Sequence, residues 1–146
     1  MKARGDVTGT RTNGPREFVP KALVCACGDA SETVLCGTLR EEGYEVVACP
    51  DRDTMLAHAF NDPPDVILYM LTPRCPIDRG VLQLLRRGLP RTPLVIVASE
   101  GSLETQRLLQ EFRPVYYAVA PLERAELVEA VGAAMALRNR MTLGNA

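Results

Sequence analysis

The 146-residue chain has no tryptophan, and its four tyrosines and three phenylalanines amount to 5% of it. So few aromatics exclude a base-stacking platform for single-stranded nucleic acid. Neither charge is in surplus: 17 Lys and Arg against 18 Asp and Glu leave a formal net charge of −1. That balance lacks the basic footprint on which phosphate-backbone binding rests, so no nucleic acid partner is expected. No apolar run approaches the ~20 residues of a membrane span. The polar start, Met1-Lys2-Ala3-Arg4-Gly5-Asp6, lacks the apolar stretch of a signal peptide. The expectation is a soluble, cytoplasmic protein without a membrane partner. His58 is the one histidine; with no nucleophile or acid beside it, it makes no catalytic triad. No G-x-G-x-x-G follows the first strand, and no G-x-x-x-x-G-K-[ST] occurs. The segment Cys27-Gly28-Asp29-Ala30-Ser31 has one glycine, too few for a phosphate-wrapping loop. No cofactor is expected.

Cysteine is present but unpatterned. Cys25, Cys27, Cys36, Cys49 and Cys75 are odd in number, with no paired C-x-x-C motifs, so the sequence predicts neither a disulfide framework nor a metal site. Cys25, Cys36 and Cys49 lie in apolar stretches, where a free thiol behaves as a small hydrophobe.

What is there is the balance of a globular domain, 47% apolar and 24% charged. Residues 1–19 show no hydrophobic period and read as a flexible N-terminal arm. Residues 20–140 form the domain, and 141–146 a C-terminal tail. Within the domain, short runs rich in β-branched residues recur at 22–26, 46–49, 66–71, 94–98 and 115–119. Each reads as a strand buried on both faces. Helical spacing fills the gaps. Asp29 and Glu32 suggest a capping box for the first helix, which Gly43 ends. Asp53 is the expected cap of a second helix running to Phe60, before Pro63-Pro64. Val81, Leu82, Leu84 and Leu85 mark a third helix; Leu103, Leu108, Leu109 and Phe112 a fourth. Leu127, Val128, Val131, Met135 and Leu137 line the last, with Glu123 and Glu126 near its start. Five βα units in series predict an α/β, flavodoxin-like, doubly wound five-stranded parallel sheet of order 2-1-3-4-5, with helices on both faces.

On this frame, several words of the sequence fall in a specific order. They are Arg40-Glu41-Glu42-Gly43-Tyr44-Glu45-Val46, Pro64-Asp65-Val66-Ile67-Leu68, Gly80-Val81-Leu82-Gln83-Leu84-Leu85-Arg86-Arg87, Pro93-Leu94-Val95-Ile96-Val97 and Tyr117-Ala118-Val119-Ala120-Pro121-Leu122. Over residues 21–139 the chain resembles the CheY-like receiver domain of bacterial response regulators. The resemblance implies two-component chemistry: an aspartate that accepts a phosphoryl group, Mg²⁺ held by it and by an acidic pair, a Thr or Ser, and a Lys. Carried over residue by residue, the acidic pair falls on Ala26 and Cys27. The phosphoacceptor falls on Met70 (Tyr69 if the register shifts by one), the hydroxyl on Ala98 beside Ser99, and the lysine on Ala120. Pro121 is kept, after a peptide that in the family is usually cis. A thioether cannot become an acyl phosphate, and alanine and cysteine offer Mg²⁺ no hard oxygen. The loop 71–79 is about two residues longer than the family pattern. The implied protein is a degenerate pseudo-receiver and not an enzyme: a phosphorylation-independent signalling or adaptor module acting by protein–protein contact, with a protein partner or as a homodimer.

Tyr117 falls where the family places its switch aromatic, on the face of helix four, strand five and helix five. It is the candidate partner contact, with Gln106, Gln110 and Arg124 as neighbours. Two other readings stay open. One is a receiver phosphorylated at a displaced acid, Asp78 or Asp29, although each is better placed to cap a helix. The other is a thiol-based redox or soft-metal sensor built on Cys27, Cys49 and Cys75, which the fold brings toward one sheet edge. Arg86, Arg87 and Arg91 read as a solvated basic edge.

Overall fold

The structure, a computed structural model, describes residues 18–73 and 75–144. The arm up to residue 17 and residues 145–146 of the tail therefore lie outside the described residues, while residues 141–144, expected as the start of that tail, continue the last helix.

Five β-branched runs form the strands β1 (Lys21–Cys25), β2 (Glu45–Cys49), β3 (Val66–Leu71), β4 (Leu94–Ala98) and β5 (Tyr116–Val119). They alternate with α1 (Glu32–Glu41), α2 (Arg52–Asn61), α3 (Arg79–Gly88), α4 (Leu103–Gln110) and α5 (Arg124–Gly144). All neighbouring strands pair in parallel, in the order β2-β1-β3-β4-β5. This is the doubly wound sheet that the alternation of elements predicts. Every residue of β3 and β4 is buried, as expected of central strands covered on both faces.

Two apolar layers sandwich the sheet. On one face Leu23, Ile67, Tyr69 and Ile96 pack with Met55 and Ala59 of α2, Leu82 and Leu85 of α3, and Leu109 of α4. On the other, Val24, Leu68, Met70 and Val97 meet Leu35 and Leu39 of α1 and Leu127, Val131 and Ala134 of α5. At the amino edge, the buried Asp65 carboxylate accepts from the Lys21 N–H at 2.7 Å and pairs with Arg138 of α5 at 3.0 Å. Those bonds compensate the desolvation of a charge that would otherwise be costly there.

The helix ends correct three local expectations. The first helix begins after Ser31, without a side-chain cap; the Asp29 carboxylate instead accepts from the Ser31 N–H and hydroxyl, so the helix starts two residues later than the Asp29 cap of the predicted box would set it. The second helix is capped by Asp51, not Asp53: extended residue 51 lets its carboxylate accept from the Thr54 N–H at 2.7 Å. Arg86 is not a free surface charge, since its guanidinium is half-buried and donates to the Thr92 carbonyl; desolvation pulls its pKa down. Gly43, at φ 95°, ends α1 as the sequence suggests, with the Tyr44 N–H returning to the Leu39 carbonyl. Asp78 caps α3 through the Val81 N–H.

Candidate functional site at the carboxyl edge of the sheet

In a parallel sheet of this order, the crevice where β1 and β3 diverge is where the chain turns away and side chains can meet a ligand. The edge is built by turns. Beyond β1, Ala26 is fully buried, and Cys27 and Gly28 take left-handed conformations at φ 51° and 77°. A non-glycine residue held there costs ~1 kcal/mol or more. The turn closes with the Asp29 N–H on the Ala26 carbonyl at 3.0 Å. Beyond β3, Thr72 and Cys75 exchange backbone hydrogen bonds of 3.1 and 2.9 Å, and the Thr72 hydroxyl oxygen also accepts from the Cys75 N–H. This bridge folds the loop back so that Cys75 is fully buried. Beyond β4 and β5, the Ala120 N–H donates to the Ala98 carbonyl at 2.8 Å, and the Ala120–Pro121 peptide is cis.

The fold thus gathers Ala26, Cys27, Met70, Ala98, Ala120 and Pro121 at the ends of β1, β3, β4 and β5. Met70 and Ala98 are each 2% exposed. The oxygen approaching Met70 Sδ is Ser31 Oγ at 3.5 Å, a hydroxyl that also bonds Asp29. Asp78 is engaged as a cap and in an ion pair with Arg52 at 3.1 Å. The six gathered positions carry no carboxylate, hydroxyl or ammonium, so they do not fit Mg²⁺, which requires hard oxygen ligands in octahedral array. A neighbouring opening of about 220 Å³ is lined by Leu71, Thr72, Ile77, Ala98, Glu100 and Thr105 among others. Among the described residues, its one charged lining residue is Glu100.

The edge is rich in sulfur instead. Cys27 and Cys75 are joined by a disulfide across 48 residues of sequence, which corrects the expectation that the cysteines build no disulfide. The pairing arises because the Thr72–Cys75 bridge folds the long loop back onto the β1 turn. Cys25 lies beside them, its Sγ 3.9 Å from that of Cys27. The three sulfur atoms lie within 4.8 Å of one another. Cys49 is not part of this group. It is a free, fully buried thiol at the end of β2, opposite Cys25 in the strand ladder. Sequence reasoning passed over Cys25 as a strand hydrophobe; the signal available was its Cys-x-Cys spacing to Cys27. Burial and the Cys49 sulfur push the Cys25 thiol up to about 11, against a smaller downward pull from Arg52.

The proposed contact residues fall in two groups. Gln106 and Gln110 are exposed on α4, and Leu103, Leu108 and Val119 expose apolar surface nearby. Tyr117 is half-buried and packs on the α2–α3–α4 side of the core; its hydroxyl is buried with no hydrogen-bond partner among the described residues. Arg124 is exposed but committed to Glu41 at 2.6 Å and Glu42 at 3.2 Å, so it ties α5 to α1.

No protein-family model matches the chain, and no curated protein matches it. Among solved structures it is similar to a CheY-like response regulator receiver domain protein from Methanospirillum hungatei JF-1, at 18% identity and a TM-score of 0.77. That match covers 85% of this chain and 99% of the other. The chemotaxis response regulator CheY4 of Vibrio cholerae matches at 21% identity and a TM-score of 0.70, over 80% of this chain and 99% of that one. NtrX from Brucella abortus, crystallised in complex with ATP, matches at 18% and 0.79; 88% of this chain covers only 29% of NtrX. The likeness is one of fold: this chain has the architecture of receiver domains. Among the described residues, no helix is long and apolar enough to cross a membrane.

Proposed function

We propose that the chain is a receiver-type signalling module that works without phosphoryl transfer and acts by contact with another protein. The observation that carries this reading is the convergence of Ala26, Cys27, Met70, Ala98 and Ala120 at the edge where the resemblance implies an acidic pair, a phosphoacceptor, a hydroxyl and a lysine. A carboxylate is the group that can be phosphorylated, and a fixed cation is what offsets the incoming charge. The gathered side chains supply neither. Asp29 and Asp78, the displaced acids, are engaged by Ser31 and by the start of α3, so no observation favours either as a substitute phosphoacceptor. With its chemistry removed, the module has its surface left to work with. Exposed Leu103 at 65% and Leu108 at 40% put apolar surface on α4 beside the exposed Gln106 and Gln110, a mixed surface suited to a protein partner or a second copy.

The test is a titration of the folded chain with Mg²⁺ and beryllofluoride, followed by backbone amide spectra. Unchanged spectra for residues 26–31, 70–78, 98–99 and 119–121 are expected. Saturable shifts clustered at those residues would restore a phosphoacceptor and remove this reading.

A further inference from the structure

We propose that Cys25, Cys27 and Cys75 form a three-sulfur site for a soft monovalent d¹⁰ metal ion, Cu(I), which opens when a dithiol reduces the Cys27–Cys75 bond. The inference stands apart from the partner-contact reading, because it needs only the three sulfurs and the turns that hold them.

The donor set selects the metal. Thiolates prefer soft ions such as Cu(I) and Zn(II) over Mg²⁺ or Ca²⁺. A metal bonded to three coplanar sulfurs at about 2.3 Å holds them about 4 Å apart. Cys25 and Cys27 already stand 3.9 Å apart, and all three sulfurs lie within 4.8 Å. Only the Cys27–Cys75 pair has to open. Its Cα atoms are 5.9 Å apart, and Cys75 sits on a loop, so side-chain rotation with a small loop movement suffices. Coordination number separates the two soft ions. Zn(II) in closed sites takes four ligands, whereas the group among the described residues has three members. With Cys25 and Cys75 fully buried, a fourth place for water is poorly provided. Three sulfurs, two of them fully buried and Cys27 half-buried, satisfy Cu(I). The nearby Arg52 guanidinium offsets part of the negative charge of the thiolates; it also acts on Cys25 and Tyr69.

The two steps balance. A dithiol gives two electrons and two protons to the Cys27–Cys75 bond, leaving two thiols on the protein and departing as its own disulfide. Cu(I) then binds with no change of oxidation state, and the thiol protons it displaces pass to solvent. While the bond is closed, two of the three sulfurs lack thiolate character, and the site is shut.

The experiment uses the full chain, reduced with dithiothreitol, freed of reductant under anaerobic conditions and titrated with Cu(I) in competition with a chromophoric Cu(I) chelator. One copper retained per reduced chain is expected, with thiolate-to-copper ultraviolet absorption and three sulfur neighbours by X-ray absorption. The oxidised chain should retain none. Cys75→Ser, on the loop, should lose copper to the chelator while keeping its fold by circular dichroism; Cys25→Ala should do the same. Cys36→Ala and Cys49→Ala should retain it. Cys75→Ser carries the test should Cys25→Ala fail to fold. The proposal is overturned if the reduced parent yields its copper to the chelator, or if Cys75→Ser retains it as the parent does. It is also overturned if the oxidised chain binds equally, or if the reduced chain holds Zn(II) in preference to copper.

Discussion

At the residue scale, the identities that matter are those whose environment departs from what their chemistry prefers. Cys25 and Cys49 face each other across the β1–β2 ladder, both fully buried. Burial raises each thiol from 9.0 to about 11, and Asp51 adds to both shifts. Arg52 pulls Cys25 the other way, and Glu32 pushes Cys49 up slightly. A raised pKa means that the native state keeps a proton that the unfolded chain loses above pH 9. Stability is therefore fully present below about pH 9 and declines as pH rises through about 11, by roughly 1.4 kcal/mol per pH unit per thiol. Tyr69, pushed up to about 12 by burial, adds to the loss at the upper end of that range. Urea midpoints at about pH 8 and about pH 10.5 should differ clearly in the parent and less in Cys49→Ala. Equal pH slopes in the two proteins would mean that Cys49 titrates as it does in the unfolded chain.

At the element scale, the strands were legible and the helix starts only in part: Asp78 caps α3 as expected, whereas α1 and α2 start elsewhere. The β-branched runs of six residues at 66–71 and five at 94–98 read as central strands, because runs this short and rich in β-branched types fit a sheet covered on both faces. Caps depend on backbone geometry that residue types do not specify. Asp51 and Asp53 stand two apart, both suited to start α2; the extended conformation of residue 51, φ −153° and ψ 173°, decides between them. Asp29 and Glu32 have the spacing of a capping box, yet after the left-handed Cys27–Gly28 turn Asp29 bonds Ser31, which takes the N-cap position two residues later. The candidate site divides in the same way. Strand ends are what put Ala26, Met70, Ala98 and Ala120 at one edge, whereas Arg124's tie to the end of α1 required the packed α1–α5 layer to be seen. Substitutions at the caps should follow the observed geometry. Asp78→Ala removes both the Val81 N–H acceptor and the Arg52 ion pair and should cost about 1 kcal/mol. Asp51→Ala should lower the denaturant midpoint while Asp53→Ala leaves it in place. The reverse order would assign the cap to Asp53.

At the scale of the whole molecule, the Cys27–Cys75 bond changes what the scaffold can do. It links the turn after β1 to the loop after β3 across 48 residues, a contact no local pattern announces because the pairing exists only once the sheet has formed. The remaining Cys25, Cys36 and Cys49 are free and buried, as the apolar runs around them imply. Cross-linking a loop of that length restricts the unfolded chain by about 4 kcal/mol in the chain-entropy account. For a domain of this size, such a loss lowers the melting temperature by roughly 10 °C or more. The sheet, the two helical layers and the Asp65–Arg138 clasp at the opposite edge do not involve the bond, so the reduced chain should stay folded and melt cooperatively. Melting with and without dithiothreitol should show the drop in the parent and its absence in Cys75→Ser, which lacks the bond under both conditions. A ligand that binds only the reduced native state raises its melting temperature in proportion to the logarithm of its excess over Kd. Added Cu(I) should therefore restore part of the lost stability in the reduced parent and none in Cys75→Ser. If the reduced parent melts as the oxidised one does, the bond contributes little to stability, and opening it would require almost no reorganisation of the fold.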